Sequence, residues 1–452
     1  MIADGTFAPG ERLPSMRFMA RGGSHGINTV RQAFSLLERD GLVTIRERGG
    51  VLVRRRRDLD QPRPPEERFV FWDRAAGDRL DLVLERMGRR DQAFAFAAPG
   101  TDLLPERRLS RIFASIPAGW IAYSEPQGEE ALRRRIALHY EPVNGPTHAK
   151  DILITNGATE AISLIVHTLI SAGDVVVVES PTYYDYFRQL SAVDARVIEV
   201  RTAVGRGMDL DALEQILASQ PVRMVLVQPN VQNPTGATMS DADKARLLSL
   251  VHRQGAILVQ DDVYGDLSFS DPRPANLSLI GDFSNLILIS SFSKTLAPGL
   301  RIGFVRATGL MPQLVEAKIR WSLESSHPAQ LVLESYLSTP AYPAHLRRLR
   351  AALSLRLDEY LALLTDALPM GSTVARPHGG CLLWVSFPQR VDATEIFLRA
   401  AKEGVVAVPG ELFSAHPHFR NCFRINVGRA LIPPRREELL RLCSIVHGAV
   451  QA

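Results

Sequence analysis

The chain has 452 residues, 46% apolar and 23% charged, which is the composition of a soluble protein with room for two or three domains. No apolar run approaches the roughly 20 residues of a membrane span. The opening MIADGTFAPG lacks the order of a secretion signal, and Cys381, Cys422 and Cys443 form neither a disulfide framework nor a metal pattern. A cytoplasmic protein with reduced thiols, no metal and no membrane partner is expected.

The net charge of +4 is unevenly spread. Residues 1–57 hold eleven Arg and five acids, hence +6, and the rest of the chain sums to −2. A basic head on a near-neutral body points to nucleic-acid contact. Lysines number only five (Lys150, Lys244, Lys294, Lys318 and Lys402), so any chemistry that needs a primary amine must choose among them.

In chain order, TVRQAFSLLERDGL has the apolar spacing of an amphipathic helix ended by Gly41. VTIRERGGVLV then alternates around a Gly-Gly turn, which predicts a short hairpin. Residues 58–90 are rich in Pro, Asp and Arg and read as a linker. From 91 to about 330, continuous apolar runs alternate with helical patterns: ILIT (152–155), VVVVE (175–179), MVLVQ (224–228), AILVQDD (256–262) and LILIS (286–290). Strands apolar on both faces belong to a mostly parallel sheet covered by helices, a three-layer α/β domain. Residues 331–452, with CLLWVSF and NCFRINV, read as a smaller companion domain.

Polar motifs follow those strands, at the ends where open α/β sheets bind ligands. They are NGATEA after ILIT, SPTYYDY after VVVVE, PNVQNPTG after MVLVQ, DDVY after AILVQ, and SFSKTLAPGLRIGF after LILIS. A helix N-terminus opening at the GAT turn suits a phosphate. Each motif alone is weak, but the set in this order resembles the fold-type I pyridoxal-phosphate enzymes of the aspartate-aminotransferase superfamily, class I/II, from about residue 91 onward.

That resemblance implies roles. Lys294 would hold the cofactor as a Schiff base and shuttle a proton, and Asp261 would keep the ring nitrogen protonated, while Asp262 points the other way along the strand. Asn233 and Tyr264 would meet the phenolate oxygen, and Tyr183 would stack on the ring. The phosphate would take Ser291, Ser293, Arg301 and the backbone at Ala158 and Thr159. Tyr123, in YSEPQG, matches a tyrosine that reaches the phosphate of a neighbouring subunit, which implies a homodimer with shared sites. Arg424, in FRINVGR, would bind the carboxylate of an amino-acid ligand.

The head, from PGERLPSMR through Thr29–Val30 to the wing ending at Val53, resembles the GntR-type winged helix-turn-helix. Joined to such a body, it resembles the MocR-type transcriptional regulators. Thr29, Arg31 and Gln32 would lie on the recognition helix, and Arg46 and Arg48 would meet phosphates. Against that pattern the head is expected to be truncated, without the family's first helix before the PGERLPS turn and with RGGSHG in place of part of the next. The function expected is a regulator that binds DNA and senses pyridoxal phosphate, an amino compound, or both. An active aminotransferase with a vestigial head is the alternative, and the sequence leaves turnover open.

Overall fold

A computed structural model of the chain describes residues 94–116, 118–203 and 205–451. Nearer the N-terminus it describes residues 11–15, 18–19, 26, 29–30, 33–34, 37, 43–46 and 50–53. The chain divides into two units, Met1–Arg68 and Phe69–Ala452.

In the first unit, strands β1 (Val43–Arg46) and β2 (Gly50–Val53) pair antiparallel, with Val43 opposite Val53. Residues 29–30, 33–34 and 37 are helical. Leu13, Phe34, Val43, Val51 and Val53 are buried together, with Val30 and Leu37 packed against them. The amides of Leu13 and Val53 donate to the carbonyls of Val51 and Glu11, which ties residues 11–13 to the hairpin. Helix followed by wing is therefore as the sequence predicts. The expected linker 58–90 and the expected loss of the first helix fall outside the described residues.

The second unit is built on an eight-stranded sheet ordered β3-β10-β9-β8-β7-β4-β5-β6. Its strands are β3 (Ile152–Thr155), β4 (Val175–Ser180), β5 (Arg196–Ala203), β6 (Gly207–Met208), β7 (Val222–Val227), β8 (Ile257–Asp261), β9 (Leu286–Ser291) and β10 (Gly303–Ala307). All but β10 and β6 run the same way. The short connection from β9 returns the chain directly as β10, which therefore pairs antiparallel.

Helices α1 (Glu106–Ala114), α2 (Glu130–Asn144), α3 (Gly157–Leu169), α4 (Asp185–Ser191), α5 (Leu210–Ser219), α6 (Asp241–Arg253), α7 (Leu277–Ile280), α8 (Met311–Trp321) and α9 (His327–Leu337) complete this part. The middle strands bury both faces. Val176 and Val178 of β4 pack with residues of α3, whereas Val177 packs with α5 and α6. That is why these runs are continuous in the sequence rather than alternating.

Helix α10 (Ala341–Ala367) crosses between two cores. Its Tyr342 and Leu346 pack with α2 and α9, while Leu357, Tyr360, Leu363 and Leu364 pack into the smaller core. That second core holds β11 (Thr373–Val374), β12 (Leu382–Ser386), α11 (Ala393–Lys402), β13 (Val408–Pro409), β14 (Cys422–Asn426) and α12 (Pro433–Gln451). Its four strands form an antiparallel sheet, and Phe94 and Ala95 join its core from the other end of the unit. The cores thus change over inside α10, beyond the expected division at 330, because α9 packs on the large sheet. Among the described residues no helix is long and apolar enough to cross a membrane.

One buried ion cluster braces the sheet behind β8. The guanidinium of Arg273 bonds Asp262 at 2.6 Å and Asp266 more closely, and lies over the Tyr140 ring. Arg273 and His139 hold the Asp266 carboxyl well below the usual carboxylate range, against the opposing effect of burial. Arg273→Met should cost about 3–5 kcal/mol, because it leaves two buried carboxylates without their cation. The depressed Asp266 contributes stability that is present above the ordinary carboxylate pKa and lost as pH falls through its lower folded value. The deficit, measured by denaturant unfolding, should therefore be full from neutrality down to about pH 4, the ordinary carboxylate value, and narrow below it. A deficit independent of pH would contradict the ionic account.

Candidate functional site

The parallel strands bring their C-terminal ends to one edge, and there a cavity of about 190 Å³ opens. It is lined by Ala158, Thr159, Tyr183, Asn233, Asp261, Tyr264, Ser291, Ser293, Lys294 and Arg301, ten of the twelve residues expected at the cofactor and its ligand. Arg424 and Tyr123 are the other two. Arg424 is fully buried beside the cavity, with Nη1 3.4 Å from Oδ1 of Asn233. Arg429 lies past the end of β14 and is half-buried, and its carbonyl accepts from Tyr360. Tyr123 is 82% exposed and is not part of this cavity.

Two glycines allow the phosphate end to form. Gly157 opens α3 with φ +77°, and a Cβ there would meet Arg301. A Cβ on Gly303 would lie 2.6 Å from the backbone of Gly157 and 2.8 Å from the amide of Ala158. The RIGF glycine therefore lets β10 press against the first turn of α3. Amides of that turn have no acceptor within the helix, and the helix dipole adds positive potential there. Arg301 faces the same point, its Nη1 3.4 Å from Oγ of Ser293 and its Nη2 3.3 Å from the carbonyl of Asn156. Ser291 Oγ donates to Ser293 Oγ at 3.0 Å. This is a cradle for a dianion.

At the other end lies Asp261. Its Oδ1 accepts from the amide of Val263, and its Oδ2 from the hydroxyl of Tyr186 and from Nε2 of Gln228. All three partners are neutral, and burial pushes the carboxyl up. The neighbouring Asp262 points to the opposite side of β8, into the Arg273 cluster, as an extended strand requires.

Lys294 is half-buried in the wall of the cavity, its Nζ 5.9 Å from the centre of the Tyr264 ring. Removal from water, with Arg424 and Arg301 nearby, pushes the amine down to about 8, although Cys381 and Asp261 oppose the shift. None of the other four lysines lines the cavity. Lys244 donates to the carbonyl of Ala275 and Lys318 to Glu160, while Lys150 and Lys402 are exposed. Tyr264 turns its hydroxyl to the carbonyl of Ala97 at 2.7 Å. A reactive amine, a buried carboxylate, an aromatic wall and an anion cradle within one cavity fit the expected pyridoxal phosphate at its aldehyde, ring nitrogen, ring face and phosphate.

Sequence reasoning missed the groups that hold these residues in place. Gln228 accepts the amide of Asn233 on Oε1 and bonds both Tyr186 and Asp261 through Nε2. Its own amide donates to Glu179, a fully buried carboxyl that desolvation pushes up to about 8. Tyr186 lies in the first turn of α4, three residues after Tyr183 in SPTYYDY, and the two rings meet edge to face with centroids 5.5 Å apart. The two histidines that flank Pro417, His416 and His418, lie in a loop before β14. In the head, Thr29 is exposed, and Arg46 lies on β1 with its side chain outside the described residues. Arg31, Gln32 and Arg48 are also outside them.

Comparison with known proteins agrees with this geometry. The family of aminotransferase class I and II matches residues 105–441, and that of bacterial regulatory proteins, gntR family, matches residues 1–53. Two Escherichia coli (strain K12) proteins described as uncharacterized HTH-type transcriptional regulators, YdcR and YjiR, are 34% and 31% identical. They match over 94% and 100% of this chain and over 92% and 97% of their own lengths. The 2-aminoadipate transaminase of Thermus thermophilus is 30% identical over 74% of this chain and 84% of its own. The crystal structure of LysN, the α-aminoadipate aminotransferase of the same organism, was solved with N-(5′-phosphopyridoxyl)-L-leucine. It superposes with a TM-score of 0.76 at 28% identity, over 82% of this chain and 95% of that one.

The two adjacent aspartates should respond oppositely to loss of charge. Asp261→Asn removes a buried charge whose partners are all neutral, so the ligand-free protein should unfold at the same temperature or higher. Asp262→Asn weakens a buried pair with Arg273 and should lower stability by roughly 1–3 kcal/mol. Thermal unfolding of the two ligand-free variants beside the parent decides this. The reverse order would mean that Asp262, not Asp261, is held in place for a ligand.

Proposed function

The chain belongs to the aminotransferase class I and II family and carries a gntR-family head, the MocR-type arrangement, and from this we propose that it is a transcriptional regulator whose body senses pyridoxal phosphate, an amino compound, or both. The observation that carries the reading is the gathering of Lys294, Asp261, Asn233, Tyr183, Ser293 and Arg301 into one cavity of a chain with a basic, winged head.

When bound, pyridoxal phosphate supplies an aldehyde that condenses with primary amines and a protonated ring that draws electrons from the bonds at the amine carbon. Lys294 is the nucleophile that holds it. With its pKa pushed to about 8, about one amine in ten is neutral at pH 7, against roughly one in three thousand at a lysine's ordinary value. Asp261 holds the proton on the ring nitrogen, and that cation in turn offsets the cost of burying the Asp261 carboxylate. Gln228 and Tyr186 keep that carboxylate in place. Asn233 and Tyr264 orient the phenolate side, and Tyr183 covers a ring face. The α3 N-terminus, Ser291, Ser293 and Arg301 take the phosphate, and Arg424 takes a ligand carboxylate.

In the homodimer that goes with this reading, Tyr123 serves the phosphate of the neighbouring copy. Its 82% exposure, beside Ile121 at 82% and Trp120 at 46%, supports that use. In the head, the exposed Thr29 begins the recognition helix, and with DNA as partner the cytoplasm is the matching compartment. The complete set of cofactor groups also favours a second reading, an aminotransferase that turns over amino acids.

Two measurements test the proposal. Pyridoxal phosphate added to the cofactor-free protein should attach at a rate that rises through a midpoint near pH 8, followed by absorbance. Borohydride should then fix it on Lys294, and an adduct on Lys150, Lys244, Lys318 or Lys402 would sink the assignment. Binding of the full chain to its own upstream DNA should weaken at least roughly tenfold between 50 and 200 mM salt, since the +6 head acts through phosphates. No DNA binding, together with measurable amino-acid and keto-acid exchange, would replace the regulator with the enzyme.

A further inference from the structure

Arg424 is fully buried, yet its partners among the described residues include no anion. Nη2 donates to the carbonyl of Ala95 at 2.6 Å, Nη1 reaches Oδ1 of Asn233 at 3.4 Å, and Nε has no partner. The rings of Phe413 and Tyr184 lie 5.2 and 5.9 Å away. A guanidinium fork matches the two oxygens of a carboxylate, so a single backbone carbonyl leaves it under-used.

The Ala95 carbonyl belongs to a strap, residues 94–100, that lies along β14 at the cavity's side. Asn426 binds the strap by its inner carbonyls: its amide donates to Phe94, and its Nδ2 donates to Phe96 and, at 2.8 Å, to Ala98. The amide of Gly100 donates to the carbonyl of Gly428. The alternate carbonyls face the site instead: Ala95 is taken by Arg424, and Ala97 by the hydroxyl of Tyr264. Phe96 and Ala97 also line the cavity. Two residues assigned to cofactor and ligand therefore spend hydrogen bonds on the strap. In sequence, the strap opens the described part of the second unit.

We infer that the Ala95 carbonyl stands in for the ligand's carboxylate on Arg424, and that a carboxylated amine displaces it and frees the site-facing side of the strap. This rests on the reading of the cavity as a pyridoxal-phosphate site. A charged acceptor beats a neutral carbonyl for a buried guanidinium, by roughly twofold in bond strength. An amine without a carboxylate fills the same cavity but leaves the strap held. The site thereby separates amino acids from simple amines by what happens to the segment leading toward the head, as a ligand with different affinities for two states must.

The test uses the full-length, cofactor-free protein and two probes, N-(5′-phosphopyridoxyl)-L-leucine and N-(5′-phosphopyridoxyl)-3-methylbutylamine, which differ only by the carboxylate. Binding is read by calorimetry and the strap by hydrogen exchange of the peptide covering 94–100. Both probes should bind, and only the leucine compound should speed strap exchange, by roughly tenfold. Arg424→Gln should show the fast exchange with no probe present. Tyr264→Phe, which removes one hydroxyl and should fold normally, should loosen the strap partly and leave a further response to the leucine compound. Equal strap exchange with both probes, or no change with either, overturns the inference while the cofactor reading stands. Binding of only one probe overturns the inference, and failure of both to bind overturns the cofactor reading with it.

Discussion

A carboxylate buried among neutral donors is the constraint around which the large domain is arranged. Asp261 sits at the end of β8 with a tyrosine hydroxyl, a glutamine amide and one backbone amide as partners. Holding a carboxylate there without a cation is unfavourable by itself. The surrounding side chains limit that cost, and in doing so they fix the strand ends relative to one another. Gln228, just after β7, connects Asp261 to Asn233, to Tyr186 on α4 and to Glu179 on β4. The same bonds that satisfy a buried charge set the shape of the cavity beside it.

Asp261 and Asp262 show how far environment decides the use of a residue type. They are adjacent residues at the end of β8, and their side chains turn to opposite sides. Asp262 meets Arg273, Asn230 and Asn276 and is part of a closed ionic cluster. Asp261 meets only neutral groups and faces a cavity with an amine and an arginine at its other wall. One side of β8 pairs its carboxylate with a cation of the protein, while the other turns a carboxyl with only neutral partners toward the cavity. That contrast supports the cofactor reading more directly than the residue list does.

The two units carry different physics. The head has a small apolar core and an excess of arginine, which suits a surface that reads a phosphate backbone. The body has a near-neutral composition and a chemically dense cavity, which suits a small charged molecule. Within the body, the strap at 94–100 is held to the cavity by Arg424 and Tyr264.

The sequence by itself determined the layers of the large domain, the smaller companion domain and the hairpin of the head, and through its family resemblance it named ten residues of the cavity. Strands buried on both faces are continuous apolar runs, and groups that bind a phosphate or an aldehyde are specific residue types just after those runs. Such signals are local, so they survive in a linear reading. Gln228, Tyr186 and the Ala95 carbonyl were not legible. An amide side chain, one tyrosine in an aromatic run and a backbone oxygen carry no local mark of what they touch, and their partners lie 33, 75 and 329 residues away. The changeover of cores within α10 was hidden for a related reason: an apolar stripe that runs the whole length of a helix does not show which core each turn enters. Residue types could be placed from the chain alone, but which of them meet is set by long-range packing, and only the tertiary structure decided that.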